Sequence, residues 1–213
     1  MILLYAIAPS AAGLSVLQTE GLCLHDDGEL AAFFEHRAGA PDRTMKEVMS
    51  FGRTLQLIWR RTSLLPIRFG TEVHDEAELA ALLDEHRQEW LARLRTVCDR
   101  SELIVHLPKA EPVPAEQLPA AAGSGRDYLG AIAERVRAEN RVIDELRDLL
   151  APFAEAERAL PAVEGPRRAF LVANDNVEAA ESAVAEWVDR AGLHEVRVTG
   201  PWPPFSFCGE VEP

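Results

Sequence analysis

Cysteine is scarce in this chain. Its 213 residues hold three, Cys23, Cys98 and Cys208, with no C-x-x-C pair among them. That excludes the usual ligand spacing of a structural zinc site. An odd, scattered set reads as reduced thiols of a cytosolic protein, not as a disulfide framework. The six histidines (His25, His36, His74, His86, His106 and His194) never fall three or four apart, so no two share a helix face as paired metal ligands do. G-x-S-x-G, G-x-x-x-x-G-K, G-x-G-x-x-G and H-E-x-x-H are all missing. Positive charge is also short, with 22 basic residues against 35 acidic ones and a net charge of −13. A surface of that sign argues against nucleic-acid and anionic-membrane partners. Finally, the N-terminal apolar run Met1–Ala8 stops at Pro9. It is too short to span a bilayer and lacks the basic start of a secretory signal. The expectation is a cytoplasmic protein with no cofactor and no metal.

The remaining composition, 47% hydrophobic and 27% charged, is that of an ordinary globular chain. Residues 1–8 read as a buried strand. Gly21–His25 and Glu29–Phe34 read as a hairpin closed by Asp26-Asp27-Gly28, where glycine supplies the positive φ, although Ala31–His36 could instead begin a helix on propensity alone. A helix is expected from Pro41-Asp42 to about Arg61, with Met45, Val48, Gly52, Leu55 and Trp59 as its inner stripe and Met49, Phe51 and Ile58 widening it. Leu64–Phe69 reads as a strand stopped by Gly70, with Pro66 marking an edge or a strand start. Asp75 caps a second helix reaching about Cys98, with Leu79, Leu82, Leu83, His86, Trp90, Leu94 and Val97 inward. Ser101–Leu107 then closes the first half as a strand.

Four prolines between Pro108 and Pro119, ending in Gly123-Ser124-Gly125, mark a linker. The expected division is a ferredoxin-like α+β domain over residues 1–108, a Pro/Ala/Gly linker over 109–125, and a smaller α+β domain over 126–213. The stretch after Pro108 is the more acidic, with 19 acidic residues against 11 basic. A long helix from about Arg126 towards Ala159 places Tyr128, Ile132, Val136, Ile143, Leu146, Leu150 and Phe153 on one face, and Pro152 should kink or break it. Its mixed charges read as a solvated face. Ala169–Ala173 is a strand. Asn174-Asp175-Asn176 caps a helix that carries Val177, Ala180, Val184, Trp187 and Val188 inward and stops at Gly192. Glu195–Thr199 is the last strand.

Two places stand out for chemistry. Arg68 lies among apolar neighbours, and a buried arginine must find carboxylates or carbonyls; its partner would be another element of the fold or a binding protein's carboxylate. The tail Thr199-Gly200-Pro201-Trp202-Pro203-Pro204-Phe205-Ser206-Phe207 carries three prolines and three aromatics close to the C-terminus. Prolines stiffen it before it docks, and the aromatics supply apolar area, so it must lie against something.

Thr199–Phe207 resembles the C-terminal signature of the gas vesicle protein F/L family, accessory proteins of gas vesicle formation. Leu65-Pro66-Ile67-Arg68-Phe69-Gly70-Thr71 is similar to a second family segment, and Gly125-Arg126-Asp127-Tyr128-Leu129 opens a long helix in the matching place. The resemblance covers nearly the whole chain. It departs after Leu129, where Gly130-Ala131-Ile132-Ala133 stands in place of a basic patch. The resemblance implies a non-enzymatic assembly factor that binds the hydrophobic major shell protein and assists nucleation or polymerisation, alongside other accessory proteins, with a place on the vesicle itself. On that footing Arg68, Phe69 and Gly70 are the candidate partner surface, by strand addition at the edge near Pro66. Pro201, Trp202, Pro203, Pro204 and Phe205 are expected to brace the two domains. Two other readings stay open. One is a scaffold that binds accessory proteins without touching the shell; the other is a small enzyme using Arg68, His106 and Glu72.

Overall fold

The computed structural model describes residues 1–10, 21–108, 125–163 and 165–209. The expected linker, apart from Gly125, lies outside the described residues. The chain forms two compact units: Met1–Glu102 together with Pro201–Pro213, and Leu103–Gly200. The division falls at Glu102 rather than Pro108, and the tail belongs to the first unit. The architecture is mixed α+β.

In the first unit, β1 (Ile2–Pro9), β2 (Cys23–Asp26), β3 (Leu30–His36) and β4 (Leu65–Pro66) lie in the order β2-β3-β1-β4, and β5 (Glu72–Val73) also pairs with β1. Every pairing is antiparallel. The sheet is apolar on both faces, which is why β1 reads as an unbroken apolar run. One face packs with α2 (Glu76–Val97) around Ile2, Leu4, Ile7, Phe34, Trp90 and Leu94. The other packs with α1 (Met45–Trp59) around Leu3, Tyr5, Phe33, Phe51, Leu55 and Ile58. The hairpin turn forms as the sequence requires: Gly28 has φ +94°, and Asp27 accepts hydrogen bonds from the amides of Glu29 and Leu30.

Both helices start at side-chain caps. Thr44 accepts from the Glu47 amide and Asp75 from the amides of Ala77 and Glu78. Helix α1 therefore begins three residues later than Asp42. Its expected inner stripe is also rotated. Phe51, Leu55 and Ile58 are buried, while Met45 and Met49 are 74% and 56% exposed.

The second unit holds α3 (Gly125–Leu150), β7 (Ala154–Leu160), β8 (Arg167–Ala173), α4 (Val177–Ala191) and most of β6 (Arg100–His106) and β9 (Arg197–Trp202). Its sheet runs β7-β8-β6-β9. Strand β6 thus does not close the first sheet. Leu103, Val105 and Leu107 pack instead with Ile143, Leu146, Phe170, Val184 and Trp187. Helix α3 ends at Leu150, and Ala154–Leu160, helix-prone by propensity, is drawn into antiparallel pairing with β8. The side chain of Tyr128 lies outside the described residues; among the described ones Ile132 and Val136 are exposed, and the buried residues Ile143, Leu146 and Leu150 lie in the last turns of α3. Asn174–Asn176 forms a 3-10 turn, and Asn176 makes no side-chain cap bond. Gly192 ends α4 with φ +68°, the left-handed stop its position implied.

Candidate functional site

The tail is held by a carboxylate. Glu102, on β6, is 1% exposed, and its two oxygens accept from the amide (2.7 Å) and the hydroxyl (2.6 Å) of Ser206. One residue later Phe207 packs against the α2 core, and Cys208 is buried within it. Arg93 of α2 donates to the Cys208 carbonyl at 3.0 Å, while the Cys208 thiol donates to the Pro204 carbonyl at 3.0 Å. The proline stretch leaves carbonyls that need donors; the Phe205 amide serves Pro203, and the Phe207 amide and the Cys208 thiol serve Pro204. Pro203 and Pro204 are buried, Trp202 is half-buried, and Pro201 is exposed on edge strand β9, where a missing amide does no harm. Phe205 remains 45% exposed.

Neither Glu102 nor Arg93 was singled out from the sequence. A signal for the first was there, because a lone carboxylate in Ser101-Glu102-Leu103-Ile104-Val105 needs partners if that strand is buried.

Arg68 corrects the buried-arginine expectation. Strand β4 stops at Pro66, the Ile67 amide donates to the Tyr5 carbonyl, and the chain then turns outward. The Thr71 amide closes that turn on the Arg68 carbonyl, with Gly70 at φ +86°. Arg68 is exposed as a result. Phe69 is half-buried and meets Phe51 edge-on at 5.3 Å, and Phe51 in turn stacks on Tyr5 at 4.7 Å. The Tyr5–Phe51–Phe69 column ties the Arg68–Gly70 turn to α1.

Burial, then the charge of nearby Glu35, pushes the Tyr5 phenol well above its ordinary pKa. Stabilisation from keeping it protonated is whole below pH ~10 and fades as pH climbs through the folded-state pKa. In a Tyr128→Phe variant, which leaves Tyr5 as the lone phenol, no phenolate absorbance is expected at pH ~10–11 until the protein unfolds. An ordinary phenol titration in the folded state would contradict this burial.

The enzyme reading asked for Arg68, Glu72 and His106. Arg68 and Glu72 belong to the first unit and His106 to the second. His106 lies 3.1 Å from the Thr199 hydroxyl, and one Glu72 carboxylate oxygen is buried with no hydrogen-bond partner among the described residues. His86, expected on the inner face of α2, is half-buried and stacks on Trp90 with 5.1 Å between ring centres. Among the described residues no cluster of three or more histidine, cysteine or carboxylate side chains is placed to hold a metal, and no helix is long and apolar enough to cross a membrane. An open depression of about 560 Å³ lies along α3 beside Glu134, Arg137 and Arg141.

A family model described as gas vesicle synthesis protein GvpL/GvpF matches residues 1–209. Gas vesicle protein F of Streptomyces sp. (strain CB03234) is 29% identical over 167 residues, 68% of this chain and 70% of that protein. Gas vesicle protein L of the same strain is 30% identical over 176 residues, 71% of this chain and 64% of its own length. The crystal structure of GvpF from Anabaena sp. PCC7120 is similar with a TM-score of 0.78 at 17% identity, covering 99% of this chain and 97% of that one. GvpF from Microcystis aeruginosa gives 0.71 at 15% identity, covering 97% and 98%. At those identities the two structures speak for the fold, whereas the family match spans nearly every residue: the chain belongs to the gas vesicle synthesis protein GvpL/GvpF family.

Proposed function

We propose that this protein is a non-enzymatic, cytoplasmic accessory factor of gas vesicle assembly that binds the hydrophobic major shell subunit and assists its nucleation or polymerisation. Family membership over residues 1–209 is the observation that carries this reading. The physics is compatible. A subunit that builds a gas-tight wall exposes apolar surface and strand edges that aggregate in water. A chain of net charge −13 with apolar side chains left exposed on its first unit has the means to keep such a subunit dispersed. A ferredoxin-like description of that unit is part of the same reading, supported by the β2-β3-β1-β4 order with antiparallel pairs.

The test is co-expression of the full chain with the major shell protein and recovery of the soluble fraction. The shell protein is expected to stay in solution and co-purify. If it aggregates as it does alone, while other accessory proteins still co-purify, the scaffold reading replaces this one.

A further inference from the structure

The exposed face of α1 combines two features that the rest of the fold does not explain. Residues 43–68 carry Arg43, Lys46, Arg53, Arg60, Arg61 and Arg68 with a single acidic residue, Glu47, in a chain whose net charge is −13. Glu47 is already engaged by Arg37 at 2.8 Å. None of the six cations forms an ion pair or a side-chain hydrogen bond among the described residues. Arg87 and Arg147, by contrast, each bind two or more carboxylates.

The second feature is apolar. Met45, Val48 and Met49 are 74%, 43% and 56% exposed. With 3.6 residues per turn, Met45, Met49 and Gly52 fall at i, i+4 and i+7 on one strip, with Val48 on the shoulder towards the buried stripe. Lys46, Arg53 and Arg60, spaced by seven, form an exposed row along the other side of that strip. A Cβ placed on Gly52 would meet nothing within 4 Å, so the strip is open and low at its middle. Methionine adapts to irregular apolar partners at small cost.

We infer that this strip is the docking surface for an apolar segment flanked by carboxylates, carried by the shell subunit; the inference rests on the shell-binding reading above. Charge complementarity names the occupant's chemistry, since unpaired cations beside an apolar strip select acidic-flanked apolar chain over neutral or basic chain. A symmetric pair of copies joined through this strip fits poorly, because it would set cation row against cation row. An anionic membrane is disfavoured by the acidity of the whole molecule. Strand addition near Pro66 has less to offer, because β4 is two residues long. Arg68 precedes Phe69, whose ring meets Phe51 of α1 edge-on.

Two triple variants of the full chain test it: Met45→Ser/Val48→Ser/Met49→Ser and Lys46→Glu/Arg53→Glu/Arg60→Glu. All six side chains are exposed, so both variants should keep the parent's circular dichroism and thermal transition. Each is expected to retain at least ~10-fold less shell protein than the parent on co-expression. A labelled helical peptide of leucine and glutamate, leucines on one face, should bind the parent more tightly than its leucine–lysine counterpart, and the charge-reversed variant should invert that preference. Retention within ~2-fold of the parent by both variants overturns the docking surface and leaves the shell reading standing. If the parent itself retains no shell protein, the shell subunit is the wrong occupant, and the peptide preference then decides whether the surface stands. Binding of phosphatidylserine vesicles by the parent that the charge-reversed variant loses overturns the inference in favour of a membrane.

Discussion

Replacing Trp90 with alanine is expected to destabilise the first unit by about 3–5 kcal/mol. Trp90 is 1% exposed and stands on α2 in the cluster that joins Ile2, Leu4, Ile7, Leu65, Leu94 and Cys208. Removing an indole there forfeits its transfer free energy and leaves a cavity that neighbours from both a helix and a sheet cannot all move to fill. The stacked contact with His86 is lost as well. Urea unfolding followed by circular dichroism reads the loss directly, and Trp90→Phe, which keeps an aromatic ring, should lose less than half as much. A cost under ~1 kcal/mol for the alanine variant would mean the site is loosely packed, contrary to the burial described.

Glu102→Ala is expected to cost about 2–3 kcal/mol and to free the tail. The carboxylate receives both donors of Ser206 from a position with almost no water, so its removal strands a backbone amide and a hydroxyl. Its loss should also loosen the turn that presents Cys208 to Arg93 and buries the thiol. Limited proteolysis with mass analysis should show new cleavage after about residue 202 in this variant but not in the parent. Ser206→Ala, which removes the hydroxyl and leaves the amide bond, should cost about 1 kcal/mol and leave the tail resistant. Equal protease resistance of Glu102→Ala and the parent would show that apolar packing of Phe207 and Cys208 alone holds the tail.

Most of the helices and strands were legible because their signals are local. Asp75 as a cap, Gly192 as a stop, Asp26-Asp27-Gly28 as a turn and the apolar run of β1 each act within a few residues, through backbone donors, positive φ or burial on both faces. The family was legible too, from two segments whose residues stand close together in the chain. What failed was anything that depended on a distant partner. Ala154–Leu160 has helix-forming residues and became a strand because β8 offered it a ladder. Ser101–Leu107 reads equally well as the end of either sheet, and its apolar partners in α3 and α4 decided for the second.

The candidate sites divide in the same way. By itself the sequence determined a mixed α+β chain, its acidity, the absence of paired metal-ligand spacing and a stiff aromatic tail that had to dock. Only the tertiary structure decided what the tail docks on, since Glu102 and Arg93 lie more than a hundred residues from their tail partners and no local pattern couples them. It also decided which side of α1 faces water. Helical periodicity defines a stripe but not which part of it the sheet covers, and here the sheet took Phe51, Leu55 and Ile58 and left Met45 and Met49 outside. For Arg68 an outward turn at Gly70 outweighed the apolar neighbours that had argued for burial. A chain can reverse its exposure within two residues, faster than any hydropathy pattern registers.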